Sequence, residues 1–242
     1  GSLYSVLAAA MQPERVAGIV HIDTGINLTG DYTDPMSRAL RCFDEELDTD
    51  DGWALFNRHA FQRDWPKAAE FFMRQANTDT HSGRAREEGL EFALEADPAS
   101  AVALVTELSR GYNDESLQTL RHLLSDLKCP QLVIHGTDDH VSPFSWGQAL
   151  AETTDAPLHA VEGGGHGPHV RYPAMVNRML HEFTSRAFDI VSTEPKRPTS
   201  RRSSPPRILY LSSPIGLGHV RRDLAIGREV RDIAPDITID WL

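Results

Sequence analysis

PQLVIHGTDDHVSPFSWGQALAETTDAPLHAVEGGGHGPH, residues 130–169, sets the architecture. PQLVIHG (130–136) and APLHAVEG (156–163) are short apolar runs of strand length, and SPFSWGQALAETT (142–154) between them has the length and pattern of a helix. Strand, helix, strand is a βαβ unit with parallel strands. Each strand runs into a loop rich in chemistry. GTDDHVSP places Asp138 and Asp139 after the first, and three glycines (163–165) deliver His166 after the second. Open α/β sheets hold their ligands at the carboxyl ends of parallel strands. Glycines there let the backbone turn tightly beside an imidazole.

Upstream, residues 2–12 read as a helix of small and aliphatic residues stopped by Pro13, and VAGIVHID (16–23) as a buried strand closed by Asp23. Between about 30 and 128 the chain carries amphipathic helical segments broken by Pro, Gly and Asp, several with capping residues at their starts, and no strand signal. Its aromatics, Trp53, Phe56, Phe61, Trp65, Phe71 and Phe72, suit an apolar pocket, but filling the insertion's own core is the stronger expectation. PAMVNRMLHEFTSR (173–186) closes this part with an amphipathic helix.

Residues 187–206 are rich in Pro, Ser and Arg and read as a solvated linker. Beyond it RILYLSS reads as a strand, PIGLGH as a glycine turn, VRRDLAIGREVRDIA as a helix and DITIDWL as a second strand. The divisions are therefore 1–186, 187–206 and 207–242.

Composition narrows the function. The 242 residues carry 24 Lys and Arg against 35 Asp and Glu, a net charge of −11, which argues against nucleic acid as a partner because phosphate binding needs concentrated positive charge. No apolar run approaches the ~20 residues that span a bilayer. Cys42 and Cys129 are too few for a disulfide framework, and no Cys or His spacing points to a metal. The expectation is a cytoplasmic protein acting on a small molecule.

The order strand, helical insertion, strand, acid loop, helix, strand, GGGH resembles the C-terminal half of the α/β-hydrolase fold, in which nucleophile, acid and histidine follow one another along the chain. The resemblance implies an α/β fold with a helical cap over about 30–128. It implies an esterase- or epoxide-hydrolase-like activity that needs no cofactor, with His166 as general base and Asp139 as its orienting acid. Asp139 is preferred over Asp138 because the family's acid stands three residues after the strand-end glycine, here Gly136. Asp23 is a rival acid, and His169 is a pocket or surface residue. Gly1 aligns with the last glycine of the family's GxSxG elbow, followed by the small-residue helix and Pro13-Glu14-Arg15-Val16, so the nucleophile of the triad is expected two positions before Gly1. On this reading the 242 residues are a fragment at both ends, inactive alone and prone to expose apolar faces. The alternative is a non-catalytic binding or scaffold module.

Residues 207–242 resemble the start of a GT-B glycosyltransferase, a Rossmann-like domain, at Gly216, Gly218 and His219, with a nucleotide-sugar as implied donor. Arg222 stands where that family commonly has Pro. A dinucleotide fingerprint is incomplete because Arg221 replaces its third glycine, and Asp240, a candidate ribose acid for a nucleotide-binding regulatory domain, equally suits a turn at a strand end.

Overall fold

The computed structural model describes residues 1–192 apart from 81 and 111, together with 207–210, 226–228, 230–231 and 238–241. Three parallel strands, β1 (Ile19–Ile22), β2 (Gln131–Gly136) and β3 (Leu158–Val161), form a sheet of order β1-β2-β3. Helix α1 (Ser2–Met11) and a one-turn 3-10 helix (Pro13–Arg15) precede β1. Helices α2 (Pro35–Arg41), α3 (Arg58–Arg63), α4 (Trp65–Ala76), α5 (Gly83–Leu94), α6 (Pro98–Arg110) and α7 (Asp114–Asp126) separate β1 from β2. Helix α8 (Phe144–Thr154) joins β2 to β3, and α9 (Pro168–Arg171) and α10 (Pro173–Ser192) follow. The expected strand, insertion, strand, helix, strand, helix order is present. The closing helix continues to Ser192 instead of ending at 186.

Strand β2 is buried along its whole length because both its faces are covered. Successive strand side chains alternate sides, and here they alternate partners. Leu132 and Ile134 pack with Val176 and, on α10, Leu180 and Phe183. Val133 points the other way, into a cluster with Val6, Leu124, Leu150 and Ala151. Parallel register ties Ile22 to Ile134 and Gly136 to Val161, so all three strands finish at the same edge. That edge carries the Asp23, Asp138–Asp139 and His166 loops.

The insertion divides between two cores. Ala39, Leu40, Phe43, Phe56, Phe61, Ala68, Val102 and Val105 form a cap core of their own. Its aromatics meet edge to face, Phe56 against Phe61 at 5.5 Å and Trp53 against Phe71 at 5.4 Å, the arrangement ring quadrupoles favour. Of the rings expected in this core, Phe56 and Phe61 are buried in it, Trp53, Trp65 and Phe72 pack against it, and Phe71 meets it through Trp53. Helix starts are set by local chemistry: Asp34, Asn57, Asp64 and Asn113 each accept a backbone N–H of the following turn. Helix α7 departs from the expected cap boundary. Leu124 is 1% exposed inside the sheet-facing cluster, so this helix covers the sheet and the cap ends before it. Amphipathic periodicity announces an apolar face without saying which neighbour it meets.

Apolar exposure occurs on α1, where Tyr4 is 53% and Met11 77% exposed. Strands β4 (Arg207–Tyr210) and β5 (Thr238–Trp241) pair in parallel, as expected of a βαβ unit, and residues 226–228 between them are helical. Among the described residues no helix is long and apolar enough to cross a membrane.

Leu124→Ala should cost about 2–5 kcal/mol of stability in a urea melt, the range for emptying a buried leucine site. Met11→Lys should stay within about 0.5 kcal/mol.

Candidate active site

The carboxylate of Asp139 is the point on which the loop after β2 folds. It is 5% exposed, and its Oδ1 accepts the backbone N–H groups of Val141 at 2.8 Å and Ser142 at 2.9 Å. Its Oδ2 accepts from His166 Nδ1 at 2.9 Å. The fully buried imidazole of His135, inside β2, donates from Nε2 to the Ser142 carbonyl at 2.7 Å, and the same nitrogen lies 3.4 Å from Asp139 Oδ2. Both oxygens of Asp139 thus accept hydrogen bonds, the condition under which a carboxylate can be buried. Asp138, by contrast, sits in the exposed turn with its carboxylate 3.2 Å from His140 Nε2.

His166 is held from its own backbone as well as from its ring. Its N–H donates to the Ala76 carbonyl at the end of α4, 2.8 Å away. Next to it the Gly165 N–H donates to Asp79 Oδ2, and Thr78 Oγ1 donates to the Asp138 carbonyl. A Cβ at Gly165 would stand 2.7 Å from Thr78 Oγ1 and 2.8 Å from the Ala76 carbonyl, so only glycine lets the cap segment come this close. Gly167 leaves the loop at φ +104, a second position that favours glycine. The His166 side chain keeps 32% of its surface exposed, and with Nδ1 bonded to Asp139 its other nitrogen, Nε2, is the one free to exchange a proton.

The charges follow from these contacts. Burial alone would lower the His166 pKa, but the Asp139 carboxylate outweighs it, with a smaller push from Asp23, and the net shift is upward. Burial would raise Asp139, but the charge of His166, the nearby His135 ring and the hydrogen bonds from His166 and the Ser142 amide hold it well below the usual carboxylate range. Asp23 moves upward: its burial dominates over the pull of His166 and the Gly136 amide.

Asp139 and His166, expected together from the sequence, are in contact in the fold. Asp23 is adjacent, yet its bonds go to the backbone amides of Gly136 and Gly167 and not to the His166 ring. His169 is exposed on α9. Gly216, Gly218 and His219 lie outside the described residues. His135 and the 76–79 segment were missed. A histidine inside the apolar run QLVIHG was a usable signal, whereas nothing local in the 76–79 segment indicates its partner. Asp23, His135 and Asp139 each present a ligand atom within 4.8 Å of the others, a metal-like grouping. Both oxygens of each carboxylate are already occupied by N–H donors, so the set suits hydrogen bonding better than a cation.

The sequence model of the Alpha/beta hydrolase family matches residues 1–179. The chain belongs to the alpha/beta hydrolase family. Serine hydrolase BPHL of Mus musculus is 34% identical over 64 residues, 26% of this chain and 22% of that protein. Alpha/beta hydrolase domain-containing protein 17B of Homo sapiens is 40% identical over 65 residues, 26% of this chain and 22% of that one. The fold is also that of a bromoperoxidase from Bacillus anthracis, with TM-score 0.57 at 19% identity over 76% of this chain and 64% of that one. An esterase from Thermogutta terrifontis gives TM-score 0.55 at 21% identity over 76% and 62%. The chain thus spans less than two thirds of the length of each of these alpha/beta hydrolase relatives.

In an NMR titration His166 should show a midpoint above 6.5, and Asp139→Asn should bring it down. A raised histidine pKa contributes stability that is fully present below 6.5 and is lost as the pH rises through the folded-state midpoint. The stability gap between the native chain and Asp139→Asn, read from urea melts at several pH values, should therefore shrink over that window.

Proposed function

We propose that the chain is the acid–base part of a hydrolase that cleaves carboxylic esters, with His166 as general base and Asp139 as its orienting acid. The observation carrying this reading is the 2.9 Å bond between His166 Nδ1 and Asp139 Oδ2 at the carboxyl ends of parallel strands. The bond fixes the tautomer and leaves Nε2 facing the reaction. Nε2 takes the proton of the nucleophile hydroxyl as its oxygen attacks the ester carbonyl carbon, then gives that proton to the departing alcohol. Water repeats the transfer and releases the acid. In this reading the nucleophile belongs to a GxSxG-type elbow, where a serine favours esters and an aspartate favours epoxides or halides. In this reading the helical insertion shapes the substrate site.

The test is turnover of p-nitrophenyl acetate by the native polypeptide, together with capture of its nucleophile by a fluorophosphonate. His166→Ala should lower kcat by about 10⁴-fold or more, and Asp139→Asn by about 10³–10⁴-fold. Undiminished turnover in His166→Ala overturns the assignment. Neither turnover nor capture in the native polypeptide favours a binding or scaffold module.

For residues 207–242 we propose the start of a GT-B-like domain with Gly216, Gly218 and His219 in its first loop, fused after the 187–206 linker. The parallel pairing of Arg207 with Thr238 through Tyr210 with Trp241 supports a βαβ start. Transfer of hexose from a nucleotide-sugar, lost in His219→Ala, is the expected outcome; transfer unaffected by that change removes His219 from the site.

A further inference from the structure

Asp23 closes β1 with its carboxylate almost wholly buried, and no step of the proposed hydrolysis uses it. Its Oδ1 accepts the N–H of Gly136, the last residue of β2, at 2.9 Å. Its Oδ2 accepts the N–H of Gly167, the residue after His166, at 2.7 Å. One oxygen therefore holds the backbone that leads into the Asp139 loop, and the other holds the backbone that leaves His166. Asp23 sits at φ +46, where an L-residue other than glycine is uncommon, and Asp and Asn are the side chains that most often tolerate it. Its own N–H donates to the Ile134 carbonyl, so residue 23 is bonded at both backbone and side chain to the end of β2.

This placement separates Asp23 from the role of rival acid. An acid partner would receive a proton-bearing nitrogen of His166, and that nitrogen is on Asp139. We infer that Asp23 is a positioning residue: its two oxygens clamp the Gly136 and Gly167 amides and so fix the spacing at which His166 Nδ1 reaches Asp139. The inference rests on the reading of His166 as general base only for its catalytic consequence. The clamp itself is a statement about two amides.

The titratable groups facing Asp23 are His166 and Asp139 on the two loops and His135 on β2. Protonating Asp23 turns one acceptor oxygen into a hydroxyl and should release one of the amides. Burial raises the pH at which this happens above the ordinary carboxylate value.

The experiment is amide and imidazole NMR on the native polypeptide and on Asp23→Asn, which keeps the shape but has one carbonyl oxygen in place of two acceptors. Gly136 or Gly167 should lose at least about tenfold of its hydrogen-exchange protection. The low-field His166 Nδ1–H resonance should shift or broaden. Unchanged protection at both glycines with an unchanged resonance overturns the inference. Should Asp23→Asn fail to fold, the native polypeptide decides: the Gly136 and Gly167 amide shifts must follow the titration midpoint of the Asp23 carboxyl carbon, and independence from it overturns the clamp. The two readings fail separately, because turnover surviving His166→Ala removes the general base while leaving the amide results intact.

Discussion

Strand β2 has no face to give to water. Leu132 and Ile134 need cover from α10, Val133 needs it from α7 and α8, and both edges of the strand need a partner. Parallel neighbours satisfy the edges, and parallel neighbours end together. At that common edge the ladder stops, and backbone N–H groups of the emerging loops lose their strand acceptors. Carboxylates take their place: Asp139 for Val141 and Ser142, Asp23 for Gly136 and Gly167. Burying a carboxylate costs several kcal/mol unless its charge is met by donors, and the amides at and just beyond the strand ends are such donors. The acids of the site are thus stable there because the sheet ends there.

The histidine depends on a different solution. Its ring is bound to the sheet side through Asp139, but its peptide N–H is bound to the cap through Ala76. The imidazole stands where the segment after α4 meets the loop after β3 through polar contacts.

Much of this was legible in the sequence, and the limits have physical causes. The strands around Ile19–Ile22, Gln131–Gly136 and Leu158–Val161 were legible because short apolar runs bounded by turns leave few other structures open. Asp139 and His166 were legible because both follow such runs closely. The allegiance of α7 was not, since Leu124 gives the same periodicity whether it meets the cap or the sheet. Asp23 could be placed at a strand end, but the choice between a ring nitrogen and a backbone amide as its partner is made by distance, and distance is a property of the fold. The contact of Ala76 with His166 crosses a long stretch of chain through backbone atoms, which no side-chain pattern records.

The bond between the Ala76 carbonyl and the His166 N–H, with the Thr78 and Asp79 contacts beside it, also sets a rule for recombination. The helical insertion is a natural unit to exchange between members of the family, and its visible seams are its two ends. A chimera cut at those seams would bring a foreign segment against Gly165, where there is no space for even one additional carbon. The transferable unit is therefore the insertion together with the loop from Gly163 to Gly167, two pieces distant in sequence that have to be inherited as one.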